Sequence, residues 1–152
     1  MNDFQKLPST IKGNTGESWV ILYLESLGYK LLWETGHQST PFDGIGYSGE
    51  SVRNLFEVKI NSMTKHKSYS IHENDIQVYC KAELSENKPM IILYVDPSTK
   101  ELNVTTTKRI RETTVIRHFD RKEKKYLLYF TGFTKKADLP EELCQQLINI
   151  SI

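Results

Sequence analysis

The stretch "KPMIILYVD", residues 88–96, is apolar at every position from Met90 to Val95. A strand of this kind belongs in the interior of a sheet covered on both faces. The remaining elements supply the cover. "NTGESWVILYLESLGYKLL" opens as a helix with Val20, Ile21, Leu24 and Leu27 on one stripe; Asn14 or Thr15 is placed to cap it and Gly28 to end it. "YKLLWET" reads as a strand and "GHQSTP" as a loop. "FDGIGYS" and "VRNLFEVKI" read as strands joined by a Gly-Glu-Ser turn. After the polar connection "INSMTKHKSY", the spacing of Ser70 and Glu73 predicts a capping box that starts a second helix, "IHENDIQVYCKAELSE". "LNVTTTKRI" reads as a strand, "TVIRHF" and "KYLLYFTGF" as a hairpin, and Pro140 as the start of a helix, "PEELCQQLINI". This order predicts an α/β or α+β fold: a mixed central sheet with helices packed on it.

The 152 residues suit one domain with a single core. No stretch approaches the length of a membrane span, and "MNDFQKLPST" lacks the basic-then-apolar order of a signal peptide, so the expectation is a cytoplasmic protein without a membrane partner. Cys80 and Cys144 read as ordinary thiols, and the four scattered histidines give little support to a zinc site. Charge is uneven. Residues 61–136 hold 15 Lys and Arg against 9 Asp and Glu, a balance of +6, while residues 1–60 carry −2 and the tail −3. The densest part, Lys108 to Lys136, suits phosphate contacts, and reads equally as a solvated hairpin. Tyr126, Tyr129 and Phe130 fall within it, either to stack on unpaired bases or, as strand positions more often do, to pack.

Within "LFEVKI" the charged Glu57 and Lys59 interrupt an apolar strand. Strand alternation puts them on one face, with Phe56, Val58 and Ile60 on the other. Asp43, at the start of the preceding strand, comes beside Glu57 if the two strands form a hairpin. Two neighbouring carboxylates are hard oxygen ligands of the kind Mg²⁺ prefers, and a lysine beside them can orient a water or offset charge at phosphorus. A surface Glu–Lys pair would be the plainer reading, with a contribution of about 0–1 kcal/mol. Glu17 shares the helical face of Val20, Ile21 and Leu24 and so points toward the sheet, although Asn14-x-x-Glu17 also fits a capping box.

Taken together, "GNTGE", "PFD" and "FEVK" in an α-β-β-β-α-β order resemble the PD-(D/E)xK nuclease superfamily, of restriction-endonuclease-like fold. Within it the chain is most similar to the NO VEIN C-terminal-type nuclease-like domains and the archaeal Holliday-junction resolvases, which also have a Ser-capped second helix like "YSIHEND". The resemblance covers about residues 12–96; residues 97–152 add strand hairpins and a helix. One departure is that Phe42 separates Pro41 from Asp43. The resemblance implies catalytic roles for Glu17, Asp43, Glu57 and Lys59, and a Mg²⁺ site (Mn²⁺ as substitute) on Asp43, Glu57 and the Val58 carbonyl. Gln77 falls where some relatives carry a polar active-site residue. The expected activity is DNA endonuclease, of restriction, repair or junction-resolving type. Lys65, Lys67, Lys108, Arg109, Arg111, Lys124 and Lys125 are the candidate DNA contacts. A homodimer, or a place in a larger defence or repair complex, fits that activity. The alternative is a nuclease-fold module that binds nucleic acid or a partner protein without cutting, or a small immunity-type interaction protein.

Overall fold

The computed structural model describes residues 8–33 and 41–150. Its elements are α1 (Pro8–Ser26), β1 (Lys30–Trp33), β2 (Gly44–Ser48), β3 (Ser51–Ile60), β4 (Tyr69–His72), α2 (Glu73–Glu86), β5 (Met90–Asp96), β6 (Glu101–Thr106), α3 (Thr107–Thr113), β7 (Thr114–Asp120), β8 (Lys125–Phe130), β9 (Thr134–Asp138) and α4 (Glu141–Asn149). A six-stranded sheet runs β1-β2-β3-β5-β6-β9 and a three-stranded sheet runs β4-β8-β7. Among the described residues only β3 and β5 pair in parallel, Leu55 opposite Met90 through Ile60 opposite Val95; the other pairings are antiparallel.

The apolar run is β5, and its position explains its composition. Leu93 and Val95 pack into one core layer with Val20 and Leu24 of α1 and Leu143, Cys144 and Leu147 of α4. Met90, Ile92 and Tyr94 pack into the other with Ile76, Tyr79 and Ala82 of α2, Ile110 of α3, and Tyr69, Leu128 and Phe130 of the small sheet. β3 obeys the same alternation. Phe56 and Val58 join the first layer and Leu55 the second, which places Glu57 and Lys59 on the α2 side.

Several elements depart from the sequence reading. α1 begins well before Asn14 and Thr15, so neither caps it; the Thr15 hydroxyl instead donates to Ile11 O at 2.8 Å. Its buried line is Gly16, Val20 and Leu24, and Leu27 is exposed past the last turn. Gly28 does end the helix: at φ +97° it lets Gly28 N–H reach Glu25 O and Tyr29 N–H reach Leu24 O. Ser70 lies in β4 rather than at a cap, and Tyr69 and Ile71 are the buried positions of that strand. Glu73, the other half of the expected box, is drawn away by Arg117, whose Nε and Nη2 donate to it at 2.6 and 3.2 Å. "TKRI" is helical because the Thr106 hydroxyl accepts from Arg109 N–H at 3.2 Å and caps α3. β9 is a Lys-bearing, exposed edge strand without an apolar pattern to announce it. Residues 34–40, with most of the expected "GHQSTP" loop, lie outside the described residues. Cys80 and Cys144 are both free thiols. Among the described residues no helix is long and apolar enough to cross a membrane.

Candidate active site

β2 begins at Gly44, opposite Phe56, while β3 continues past that point to Ile60. Among the described residues the edge of β3 beyond Phe56 therefore has no strand partner on that side, and Asp43 fills the first part of the gap. Its backbone N–H donates to Phe56 O at 2.9 Å, and its Oδ2 accepts from Val58 N–H at 2.7 Å. These two bonds fix the carboxylate against β3, just ahead of the strand on which it was expected. N–H and C=O of one strand residue face the same edge, so the Val58 carbonyl opens toward Asp43 as well.

Two more acids meet Asp43 from opposite faces of the sheet. Glu57 comes from the α2 side. Burial pushes its carboxyl up to about 10, the adjacent Asp43 carboxyl adds to the rise, and Lys59 and the Tyr79 hydroxyl draw it partly back. Glu17 comes from α1, where Gly16 lets the helix approach Ile60 so closely that a Cβ would meet the Ile60 side chain. Burial and Asp43 push the Glu17 carboxyl up to about 8. The Trp33 indole lies over Gly44, which has no Cβ to block it, and its N–H draws Glu17 partly back down. Even so, Glu17 Oε2 and Trp33 Nε1 are buried without a partner in good hydrogen-bond geometry among the described residues. Asp43 thus stands between two acids that hold protons at neutral pH. Three carboxyl groups crowd one place, and two of them take up protons to share it.

Lys59 completes the group. Its Nζ lies 3.3 Å from Asp75 Oδ2 and 5.6 Å from the centre of the Tyr79 ring. Asp75 and Tyr79 are one turn apart on α2, so a single helical face sets the ammonium and shields Glu57. Tyr79 is buried, and burial with the nearby Glu57 and Asp75 charges raises its hydroxyl pKa. Neither residue stood out in the sequence. The i, i+4 pairing with Ile76 between them was the available signal. Gln77 is exposed on another side of α2, in a groove with Glu73, Cys80 and Leu128, and does not join the group.

Lys65 and Lys67 are exposed in the turn between β3 and β4. The basic stretch that follows β6 divides in two. Lys108, Arg109 and Arg111 belong to α3, at the C-terminal end of α2; Arg109 bonds Thr134 Oγ1 at 2.7 Å, and Arg111 shares a cleft with Glu83 and Lys88. Lys124 and Lys125 sit at the β7–β8 turn, beyond the N-terminal end of α2. The helix separates the two groups by about 1.5 Å per residue, roughly 16 Å from Asp75 to Glu86. Tyr126 is exposed, Tyr129 half-buried and Phe130 buried.

Among the described residues no three His, Cys, Asp or Glu side chains form a ready-made ion-holding group. No described protein family matches the sequence, and no curated protein does. The fold has relatives. Hjc, a Holliday junction resolvase from Archaeoglobus fulgidus, superposes with a TM-score of 0.54 over 88% of this chain and 93% of its own, at 13% identity. D212, a nuclease from a fusselovirus, is 12% identical over 97% of this chain and 95% of its own, with a TM-score of 0.45. The likeness to Hjc establishes a restriction-endonuclease-like fold, as the motifs led one to expect.

Proposed function

We propose that this protein is a metal-dependent endonuclease that hydrolyses phosphodiester bonds in DNA. The observation that carries this reading is the position of Asp43: pinned to the free edge of β3, flanked by Glu17 and Glu57, with Lys59 on the same strand face as Glu57. All the donors are hard oxygens, and the Glu17 oxygen without a partner among the described residues is free to take part in such a site. Glu57, the second Asp43 oxygen and the Val58 carbonyl would hold a Mg²⁺ or Mn²⁺ ion. Such a set of few protein ligands suits a cation that keeps water and substrate phosphate in its shell. When bound, the ion supplies a water of lowered pKa and neutralises charge on the phosphate. Lys59, steered by Asp75, offers its ammonium to the charge that develops on the attacked phosphorus. Glu17 orients water on the α1 side.

Lys65 and Lys67, with Lys124 and Lys125, lie at the end of the molecule toward which β3 runs and would hold the DNA backbone there. Lys108, Arg109 and Arg111 would meet it farther along. Two copies of the chain would serve to cut both strands of a duplex. The test is incubation of the pure protein with supercoiled plasmid, linear duplex, single strand and four-way junction, in Mg²⁺, Mn²⁺ or EDTA. The reading expects cutting that needs the metal and is lost in Asp43→Ala and Lys59→Ala. A folded protein that binds DNA, cuts none of these, and binds equally well after both substitutions would contradict it.

A further inference from the structure

The β7–β8 hairpin is longer than the core needs. Arg117, opposite Leu128, and Phe119, opposite Tyr126, share the strand face on which α2 packs. α2 covers Leu128 and reaches Arg117 through Glu73, its first residue. Phe119 and Tyr126 project past the helix, 42% and 38% exposed, with ring centres 4.9 Å apart. The Arg117 guanidinium stacks 3.5 Å from the Tyr126 ring centre, held from the far side by both Glu73 oxygens. Arg121, Lys122, Lys124 and Lys125 crowd the tip, and none has an ion-pair partner among the described residues. The acids nearby are engaged. Asp120 accepts from the Lys122 and Glu123 N–H groups, and Glu123 lies 3.5 Å from His72.

We infer that this arm binds nucleic acid with unpaired bases, which stack on Phe119 and Tyr126 while the tip cations hold the backbone. An apolar protein partner would account for the rings but not for four unpaired cations around them; a polyanion carrying aromatic faces accounts for both. Where phosphate contacts alone would give affinity without discrimination, an exposed aromatic pair adds preference for bases out of the stack. Placement supports this. Glu73 anchors the arm and Asp75 anchors Lys59, two residues apart on the first turn of α2. The stacking surface and the candidate catalytic lysine therefore lie across the first turn of α2 from each other, separated by a helix diameter, on the order of 10 Å, plus the side-chain contacts on either side. The inference deepens the endonuclease reading by assigning it a substrate class, and rests on that reading only for cutting.

Binding is measured by fluorescence anisotropy in EDTA, where nothing is cut, with a labelled fully paired duplex and the same duplex carrying an unpaired stretch. The wild type is expected to favour the unpaired probe by about tenfold, the worth of one stacked base. Phe119→Ala/Tyr126→Ala is expected to lose that preference while keeping its duplex affinity and remaining folded at the assay temperature. Replacement of Lys122, Lys124 and Lys125 by Gln is expected to weaken both probes alike and flatten the salt dependence. Equal affinity of the wild type for both probes overturns the inference, as does a preference that survives the double substitution. Self-association through the exposed Val115 and Ile116 that blocks DNA overturns it too. Binding with this preference by a protein that never cuts leaves the arm standing and removes the nuclease; cutting without preference does the reverse.

Discussion

Two carboxylate sites in the central sheet have opposite surroundings. Asp96, at the end of β5, is fully buried and surrounded by donors: Met63 N–H at 2.9 Å, the Tyr69 hydroxyl at 2.8 Å, Ser98 N–H and hydroxyl at 2.9 and 2.6 Å, and Thr99 N–H at 3.2 Å. Burial works to raise its pKa, but the hydrogen bonds from Ser98, Tyr69, Met63 and Thr99 outweigh it and hold the carboxyl below its ordinary range. Glu57, on the neighbouring strand, is pushed up to about 10 by burial, and the carboxyl of Asp43, facing it where Asp96 has donors, adds to the rise. Burial of an acid is thus no mark of function by itself. An acid supplied with donors closes a structure, here by fastening the β3–β4 connection to β5. Acids crowded against each other raise one another's pKa and take up protons instead.

The largest contrast should appear in catalysis. Lys59→Ala and Glu57→Gln are each expected to lower metal-dependent DNA cleavage at least about a hundredfold. Asp96→Asn should leave the rate of the surviving folded protein within a few fold, as single-turnover assays below the melting temperature would show. Stability should reverse the ranking. Asp96→Ala strands the Tyr69 hydroxyl and buried N–H groups and is expected to cost about 3 kcal/mol in urea unfolding. In EDTA, Glu57→Gln should unfold within about 1 kcal/mol of the wild type or above it, because it removes an acid that the fold must keep protonated.

Dependence on pH sharpens the comparison. The Glu57 carboxyl is raised from 4.5 when folded, so its contribution to stability is complete below that value and is lost as pH climbs toward about 10. The part from Glu17 is lost by about 8. Asp96 has the opposite sign: its contribution is complete above 3.8 and is lost as pH falls through its lowered value. Melting temperatures in EDTA should therefore decline from mildly acid to alkaline pH, and Glu57→Gln should remove most of that slope. The smallest expected effect is on the Lys59–Asp75 pair. Both side chains are about one-third exposed, 31% and 37%, so Asp75→Asn should change stability by less than about 1 kcal/mol. A larger change in the unfolding midpoint would mean that Asp75 holds the helix rather than the lysine.

The candidate site was largely legible in the sequence because it obeys local rules. Alternation along β3 puts Glu57 and Lys59 together, a short turn returns β2 beside β3, and the helical face of Val20 and Leu24 carries Glu17 to the sheet. The apolar run of β5 revealed a sheet covered on both faces. What the sequence concealed depends on distant partners. Ser70 and Glu73 satisfy a capping pattern, yet Arg117, 44 positions from Glu73, takes the glutamate. Asp75 and Tyr79 look like ordinary helix residues until β3 is laid against them. The same basic stretch that reads as one surface is divided between a helix and a hairpin, because Thr106 caps where a strand was expected to continue.

The most direct test of the contrast between satisfied and unsatisfied acids is calorimetric titration of Mn²⁺ into the metal-free protein without DNA. The wild type and Asp96→Asn should bind the ion alike, while Asp43→Asn and Glu57→Gln should bind it at least about tenfold more weakly. If the Asp43 and Glu57 variants bind Mn²⁺ as the wild type does, the acids meeting at Asp43 are not a cation site, and the account fails at its centre.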